Sequence, residues 1–285
     1  MDVDQKPSAR VAVVTGAGRG VGRAIALALA ADGAEVVLVA RDVGALQGVA
    51  EQIRAAGGIA LTVPTDVSDR DAVDRLADAI ADAGMTQPAI LVNAAGVFGP
   101  LRPVVDSDPE EWIRTLAVNL HSAYFMMRRF LPGMIAAGWG RILNVTSAAA
   151  VHTPGPLNSA YATSKVALDQ LTRHVAAELE GTGVTANVFH QGDVKTEMFA
   201  RIRDDVTALG SAADANYGSW VDWMERTGGD PVEKAAELVL RVVHDAGGMP
   251  NGRFLWIADG LQAPVATWGD GVAPAADGTP SYVGE

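Results

Sequence analysis

The chain alternates between short apolar runs rich in Val, Ile and Leu and longer segments in which apolar residues recur at every third or fourth position. The short runs are typical of buried parallel strands, and the longer segments are typical of helices that bury one face. The pattern predicts an α/β fold, a single-domain doubly wound parallel sheet with helices on both faces and the strand order 3-2-1-4-5-6-7. The seven predicted strands lie at residues 10–15, 35–40, 59–64, 89–93, 140–147, 184–189 and 253–258.

The domain is predicted to span residues 10–262, between a polar extension at 1–9 and a tail rich in Gly, Pro and Ala at 263–285. Two interpretations of the tail stay open: a mobile segment, or one that reaches over a neighbouring subunit. Residues 197–230 are predicted to form an irregular substrate loop, because a loop of this length in a compact domain usually serves as a lid or binding loop.

One long helical segment is predicted at 109–137, and Pro132 is expected to kink or split it near its end. Apolar and aromatic residues recur along it with a spacing of three or four, which predicts a buried face. That face is expected to carry Trp112, Leu116, Leu120, Tyr124 and Met127. Two further helices are predicted, at 21–31 and 231–246.

Composition narrows the function classes. A chain of 285 residues with 49% hydrophobic and 20% charged residues can bury a full core as one domain. The net charge of −12 argues against unassisted binding to nucleic acid or to an anionic membrane. The absence of cysteine excludes disulfides, thiolate nucleophiles and cysteine metal sites, and no metal site is predicted. The N-terminus lacks a signal-peptide core, and no run reaches about 18 apolar residues, so we expect a soluble, cytoplasmic protein.

A glycine-rich turn separates the first strand from the helix at 21–31. Glycine occupies every second position from Gly16 to Gly22. Such a turn lets backbone N–H groups approach an anion at the positive end of the helix. The pattern therefore predicts a phosphate cradle, with a tight turn that binds no ligand as the alternative.

Tyr161 and Lys165 are four residues apart, so on a helix they share one face. A free tyrosine has a pKa of about 10, too high for a general base at neutral pH. A neighbouring ammonium stabilises the phenolate, and a tyrosine tuned in this way can exchange a proton with an alcohol or ketone oxygen. The alternative is a chance pairing on an amphipathic helix.

These features together resemble the short-chain dehydrogenase/reductase family. The segment from Thr15 to Gly22 fits T-G-x-x-x-G-x-G, although it does not fit G-x-G-x-x-G, and residues 93–96 read N-A-A-G. Ser147 lies fourteen positions before Tyr161, one more than is usual in the family, so Thr146 stays open as a stand-in. The resemblance covers about residues 10–258 and implies a Rossmann-like domain that binds NAD(H) or NADP(H).

The resemblance implies a catalytic tetrad of Asn119, Ser147, Tyr161 and Lys165. Tyr161 would act as general acid in the reductive direction, with its pKa lowered by Lys165 and by the positive nicotinamide ring. Ser147 would hold the substrate oxygen, and Lys165 would also bond the nicotinamide ribose. Asn119 would free its backbone carbonyl for a water relay, unless it is a plain surface asparagine.

The resemblance also implies which residues hold the cofactor. Asp66 would bond the adenine amine, although an aspartate at this point could equally cap the next helix. The Asn93 amide would bond backbone of a neighbouring strand, while the small residues after it let the cofactor lie close. The carboxamide of nicotinamide would contact residues beyond the sixth strand. The full set is Gly16, Arg19, Gly20, Val21, Gly22, Ala40, Arg41, Asp66, Val67, Asn93, Ala94, Gly96, Tyr161, Lys165, Gly192, Val194 and Thr196.

The end of the second strand decides between the two nucleotides. An acidic residue there suits the ribose of NAD, whereas an arginine suits the 2′-phosphate of NADP. Arg41 follows the strand and Arg19 offers a second guanidinium, so NADP(H) is favoured over NAD(H). Asp42 stands against this, because a small shift could bring it to the ribose. Alternatively, Arg41 and Asp42 only open a solvated helix, with Asp42 as its N-cap.

One segment departs from the family. Many members follow the sixth strand with a Pro-Gly pair, where this chain has His190, Gln191 and Gly192. The missing proline is expected to loosen a turn at the cofactor and leaves the carboxamide contacts open. His190 is interpreted as a packed loop histidine, with a catalytic role as the alternative.

The leading hypothesis is an NADP(H)-dependent oxidoreductase that interconverts a ketone or aldehyde and an alcohol by hydride transfer. Aromatic residues of the 197–230 segment, with Phe98, His152 and Leu157, suggest a fairly apolar substrate pocket, unless they pack only against the protein. The alternatives are the same chemistry with NAD(H), a non-catalytic nucleotide sensor, and a lyase or dehalogenase without a nucleotide site. The resemblance also implies a homodimer or homotetramer, paired through the helices at 109–137 and 161–181.

Overall fold

Seven parallel strands form one sheet at the centre of the molecule. The structure is a computed structural model that describes residues 10–151, 155–245 and 251–257. The strand order is β3-β2-β1-β4-β5-β6-β7, which confirms the prediction. β5 ends at Val145 rather than at Ser147, so both hydroxyl residues lie beyond the strand. The strands are β1 Val11–Thr15, β2 Glu35–Ala40, β3 Ala60–Pro64, β4 Ile90–Asn93, β5 Gly140–Val145, β6 Val184–His190 and β7 Phe254–Trp256.

Helices cover both faces of the sheet. Residues of β1 alternate between the two layers, with Ala12 and Val14 packed in one core and Val11 and Val13 in the other. This alternation is what a central parallel strand requires, because successive side chains point to opposite faces. The helices are α1 Gly20–Ala31, α2 Val43–Ala55, α3 Arg70–Asp82, α4 Pro109–Leu116, α5 Ser122–Ala137, α6 Ser159–Glu178, α7 Glu197–Leu209, α8 Ser211–Ala213, α9 Ser219–Thr227 and α10 Glu233–His244.

The segment at 109–137 is interrupted in its middle and not at Pro132. A π-helical turn at Ala117–His121 separates α4 from α5, and α5 continues through Pro132 to Ala137. The wider turn rotates the residues that follow it relative to an unbroken helix. Tyr124 is therefore 46% exposed, whereas the buried face of α5 carries Ala123, Met126, Met127, Phe130 and Met134.

The 197–230 segment is helical, so the prediction of an irregular loop was wrong. α7, α8 and α9 follow one another, with a π-helical turn at Asp214–Gly218. They pack around a small core of their own, which contains Phe199, Ile202 and Met224. Residues three and four apart along α7 supply this core, a periodicity that the scattered aromatic residues of the sequence concealed.

The extension at 1–9, His152 and the tail at 263–285 lie outside the described residues. Within those residues, no helix is long and apolar enough to cross a lipid bilayer.

Two glycines before β6 provide a matched pair for testing backbone packing. Gly181 and Gly183 both have positive φ, at 77° and 80°. A Cβ at Gly181 would meet no neighbour, whereas a Cβ at Gly183 would collide with the carbonyl oxygen of Gly138. Gly181→Ala should cost about 1–2 kcal/mol from the left-handed backbone alone. Gly183→Ala should cost about 1–3 kcal/mol more from the collision.

Urea unfolding monitored by circular dichroism measures the difference between the two variants. Equal losses in the free energy of unfolding would show that the backbone of Gly138 does not approach Gly183 as closely as described.

Candidate active site

A cavity of about 550 Å³ lies along the carboxyl ends of the strands. This is the edge at which open parallel sheets bind ligands, and the volume falls within the usual range of about 300–1,000 Å³. Most of the residues assigned to a cofactor from the sequence line it. They are Gly16, Arg19, Gly20, Val21, Gly22, Ala40, Arg41, Asp66, Val67, Ala94, Gly96, Tyr161, Lys165, Val194 and Thr196.

The glycine turn forms a cradle at the start of α1. A Cβ at Gly22 would collide with the carbonyl oxygen of Gly16, so only glycine allows the helix to begin this close to β1. The N-cap of α1 is Arg19, whose side chain makes no capping hydrogen bond. The first N–H groups of the helix therefore have no side-chain acceptor, and the positive end of the helix faces a cavity that side chains do not fill. These features fit the phosphates of a nucleotide.

At the end of β2, the cap interpretation of Asp42 is confirmed. Its carboxylate accepts a hydrogen bond from the Ala45 N–H at 3.0 Å and caps α2. Arg41 is exposed and lines the cavity beside it. A cationic side chain thus lies exposed at the end of β2, while the neighbouring carboxylate is engaged in the cap.

Asp66 does not cap the following helix. The N-cap of α3 is Asp69, whereas Asp66 accepts hydrogen bonds from the Ser68 backbone and hydroxyl. Burial raises the pKa of Asp66, but the two bonds from Ser68 and the charge of Arg41 outweigh burial and lower it overall. An ionised carboxylate is thereby held at the cavity wall as a hydrogen-bond acceptor.

Arg19 lies against the start of α7. Its guanidinium forms an ion pair with Glu197, the first residue of α7, and both residues line the cavity. Arg41 lines the same cavity, so the expectation that both guanidinium groups could face a phosphate stays a prediction. The ion pair connects the glycine turn to the helical segment that the sequence placed in a loop.

Polar residues at the ends of β1, β4 and β5 are paired with one another. The Thr15 hydroxyl accepts hydrogen bonds from the backbone N–H groups of Ala94 and Ala95, each at 3.0 Å. Asn93 donates to the side chain of Asn144 at 2.8 Å and not to backbone as expected. Asn93 therefore holds adjacent strands together behind the cavity, which it does not line.

Tyr161 and Lys165 lie on one face of α6, and both are buried. The Lys165 ammonium donates to the carbonyl oxygen of Val145 at 2.8 Å and lies 5.6 Å from the centre of the Tyr161 ring. Ser147 makes a hydrogen bond with the phenol. The contact with the phenol favours Ser147 over Thr146 at this position, although Thr146 is the one of the two that lines the cavity.

The pKa of Tyr161 is shifted in the direction opposite to the prediction. Burial raises it, and the hydrogen bond from Ser147 only partly opposes this, while the charge of Asp193 raises it further. Burial also lowers the pKa of Lys165 to about 8. A raised pKa keeps the phenol neutral near pH 7, and a neutral phenol suits a proton donor to a carbonyl oxygen.

Asn119 lies in the π-helical turn and is 2% exposed, so the surface interpretation was wrong. Its side-chain amide accepts from the Val97 N–H at 2.8 Å and donates to the Val97 carbonyl at 2.9 Å. It also donates to the Ser164 hydroxyl at 3.0 Å. Asn119 therefore fixes the loop after β4 to α6, beside Lys165.

The end of the cavity near Lys165 contains two residues whose role the sequence left open. Thr146 and Gln191 follow β5 and β6, respectively, and both line the cavity. His190 is the last residue of β6, where it packs edge to face against Trp256 with the ring centres 4.9 Å apart. This bears out the packed interpretation of His190. Gly192 lies against Asp230 and Ile257 and does not line the cavity.

Apolar residues close the cavity above Tyr161. The Phe98 ring lies 4.9 Å from the Tyr161 ring and 6.3 Å from that of Tyr217. Among the described residues, Phe98 is the one aromatic residue assigned to the pocket that lines it. The alternative that these residues pack against the protein holds for Phe199, Tyr217, Trp220 and Leu157, which lie in or against the core of the helical segment. Sequence reasoning missed one wall of the cavity, although the spacing of its residues is helical. This wall is formed by α7 through Glu197, Met198, Arg201, Ile202 and Asp205.

Comparisons with known proteins agree with this arrangement. A family model described as short chain dehydrogenase matches residues 10–207. A short chain dehydrogenase of Pseudocercospora fijiensis is 37% identical over 67% of this chain, which spans 62% of that relative. Galactitol 2-dehydrogenase (L-tagatose-forming) of Cereibacter sphaeroides is 38% identical over 68% of this chain and 74% of the relative.

Solved structures with bound nicotinamide cofactors are also similar. A metagenomic short-chain oxidoreductase in complex with NADP is 41% identical, with a TM-score of 0.61 over 65% of this chain and 83% of that one. NAD⁺-bound xylitol dehydrogenase is 28% identical, with a TM-score of 0.78 over 90% of this chain and 100% of that one. The family model covers most of the chain, so the chain belongs to the short chain dehydrogenase family and is an oxidoreductase.

Proposed function

We propose that the protein is an NADP(H)-dependent oxidoreductase that interconverts a ketone or aldehyde and the corresponding alcohol. The observation that carries the proposal is the buried phenol of Tyr161, which is hydrogen-bonded to Ser147 at the edge of a nucleotide-sized cavity. The cofactor supplies or accepts the hydride. The protein has to move one proton at the substrate oxygen and hold both molecules in place.

The proton chemistry falls to three side chains in this proposal. In reduction, Tyr161 donates its phenolic proton to the carbonyl oxygen, which Ser147 holds through its hydroxyl. Lys165 stabilises the phenolate that remains, since an ammonium within the same buried site favours the charged form of the phenol. Asn119 positions Lys165 and the loop after β4, and its backbone carbonyl is proposed to support a water relay.

The residues of the cavity suit a nucleotide in a definite orientation. The glycine turn and the N-terminus of α1 would hold the pyrophosphate, with Val21 and Gly22 close to it. Asp66 and Val67 would contact the adenine, and the strand-end residues Ala94 and Gly96 would lie beneath the ribose next to Lys165. Val194 and Thr196 would contact the nicotinamide.

NADP(H) is favoured over NAD(H) because of Arg41. Its guanidinium is exposed beside the cavity, and the carboxylate of Asp42 is engaged in capping α2. Similar proteins include both a complex with NADP and one with NAD⁺. The preference of this chain is therefore proposed from the positive charge at the end of β2. The proposed substrate is a small carbonyl compound or alcohol with an apolar substituent against Phe98 and Met198.

Removing the phenolic hydroxyl tests the catalytic assignment. Tyr161→Phe should reduce kcat by about 10²- to 10⁴-fold, because it removes the general acid. Cofactor affinity should change little, since the ring and its packing against Phe98 are kept. The rate of NADPH consumption with a panel of ketones and aldehydes gives kcat, and fluorescence titration gives the Kd for NADPH. Tyr124→Phe, at an exposed position on α5, is the control.

The opposite result is expected if the protein is a non-catalytic nucleotide sensor. It would bind NADPH but show no turnover with any carbonyl compound in the wild type, and Tyr161→Phe would leave its behaviour unchanged. A lyase or dehalogenase on this fold would not bind the nucleotide, which the open glycine cradle and the position of Lys165 argue against.

Arg41→Ala tests the preference for NADP(H). A charge-assisted hydrogen bond is worth about 1.5–3 kcal/mol, so the Kd for NADP⁺ should rise by about 10- to 100-fold, with little change in the Kd for NAD⁺. Isothermal titration with each nucleotide measures both constants. Arg54→Ala, at the other end of α2, should change neither. Equal effects on the two nucleotides would show that Arg41 does not contact the 2′-phosphate.

We propose that the protein forms a homodimer or homotetramer through α4, α5 and α6. The apolar side chains of Ile113, Tyr124 and Val166 are exposed on these three helices. A contiguous apolar patch marks a surface that a second copy covers, whereas single exposed apolar residues are common, so the proposal requires these three side chains to lie together. Sedimentation at micromolar concentration should give an oligomer, and a monomer alone would contradict the proposal.

A further inference from the structure

Gln191 lies directly after β6, at the position where many family members have proline. It lines the nucleotide cavity together with Val145, Thr146 and Lys165. Its side-chain oxygen Oε1 is buried from solvent and has no hydrogen-bond partner among the described residues. A proline could offer no such acceptor to the cavity.

A buried carbonyl oxygen without a partner costs about 1–3 kcal/mol, so such groups are rare and call for an explanation. Thr15 and Asn144 are satisfied, since Thr15 bonds two backbone N–H groups and Asn144 bonds both Asn93 and Thr172, whereas the side-chain oxygen of Asn93 also lacks a partner. Gln191 and Thr146 follow adjacent strands and both line the cavity, while Oε1 of Gln191 and Oγ1 of Thr146 are buried behind its surface. Rotation of the Gln191 amide about its last side-chain torsion would bring Oε1 to the cavity, where it can accept a hydrogen bond from a ligand.

The backbone around Gln191 is held in place without proline. The Asp193 N–H donates to the Asp230 carboxylate at 3.0 Å, and the Asp230 N–H donates to the Asp193 carbonyl at 2.7 Å. A Cβ at Gly192 would collide with the side chain of Ile257. The two hydrogen bonds restrain the backbone that follows Gln191, which runs against the expectation of a loosened turn. Gln191 thus presents its side chain from a fixed point.

We infer that Gln191 is a cofactor-binding residue whose side-chain carbonyl accepts a hydrogen bond from the carboxamide amine of nicotinamide. The inference rests on the proposed function, which places the nicotinamide beside Tyr161 and Lys165. Gln191 lines the same end of the cavity, and a carboxamide offers the N–H donor that the buried oxygen lacks. The bond would fix the rotation of the carboxamide and, with it, the face of the ring turned towards the substrate.

A thermodynamic cycle between protein and cofactor isolates this bond. The two ligands are NADP⁺ and its 3-acetylpyridine analogue, in which a methyl group replaces the carboxamide amine. The two proteins are the wild type and Gln191→Met, which keeps the length of the side chain but removes the acceptor. Isothermal titration gives the four Kd values without any turnover. One neutral hydrogen bond corresponds to a factor of about 3–10 in affinity.

The wild type should bind the analogue more weakly than NADP⁺, and Gln191→Met should reduce that ratio by about 3- to 10-fold. Gln191→Glu retains a carbonyl-type acceptor and should keep the wild-type ratio or increase it. Gln47→Met, on the exposed face of α2, is the matched control and should leave the ratio unchanged. If Gln191→Met does not fold, Gln191→Ala provides the same comparison.

An unchanged ratio in the Gln191 variants would overturn the inference while leaving the proposed function intact. Failure of the wild type to bind either NADP⁺ or NAD⁺ would overturn the proposed function, and the inference would fall with it. Loss of affinity for both ligands by the same factor would show that Gln191 only supports the turn, which also contradicts the inference.

Discussion

The site depends on an ammonium that is buried against the edge of the sheet. Lys165 is 4% exposed and donates to the carbonyl oxygen of Val145, the last residue of β5. Desolvation of a charge is costly, and it lowers the pKa of this lysine to about 8. The bond to a backbone carbonyl partly offsets that cost, and it also fixes α6 relative to the strand that leads into Ser147. Helix, strand end and the Ser147 hydroxyl are thereby held in one arrangement.

The same burial explains why the phenol is not acidic before a cofactor binds. Desolvation disfavours both the phenolate of Tyr161 and the ammonium of Lys165, so each group moves towards its neutral form. Sequence spacing suggested only attraction between the two groups. It could not include the loss of water, because burial depends on Phe98 and on helices that are distant in the chain. A neutral Tyr161 phenol beside a Lys165 ammonium with a lowered pKa is suited to proton delivery to a carbonyl oxygen.

The strand order and most of the cavity wall could be predicted because they follow from local patterns. β-branched runs that end at glycine or asparagine define the strands, and parallel pairing brings those ends to one edge. The π-helical turn around Asn119 could not be predicted, since the bonds from its side chain to Val97 and Ser164 join distant parts of the chain. The pairing of Arg19 with Glu197 was missed for the same reason. The helical segment at 197–230 shows a periodicity that was open to detection but was outweighed by its scattered aromatic residues.

The turn after β6 has no proline, although many members of the family have one there. Proline acts locally, by restricting the backbone before the chain folds. Here the turn is held by hydrogen bonds between Asp193 and Asp230, which form only when the segment after β6 meets the chain ahead of α10. Tertiary contacts hold the turn in place of the local stiffness that a proline would give. The position of Gln191 can therefore carry a polar side chain. The buried side-chain oxygen of Gln191 has no hydrogen-bond partner among the described residues, and the cofactor is its proposed partner.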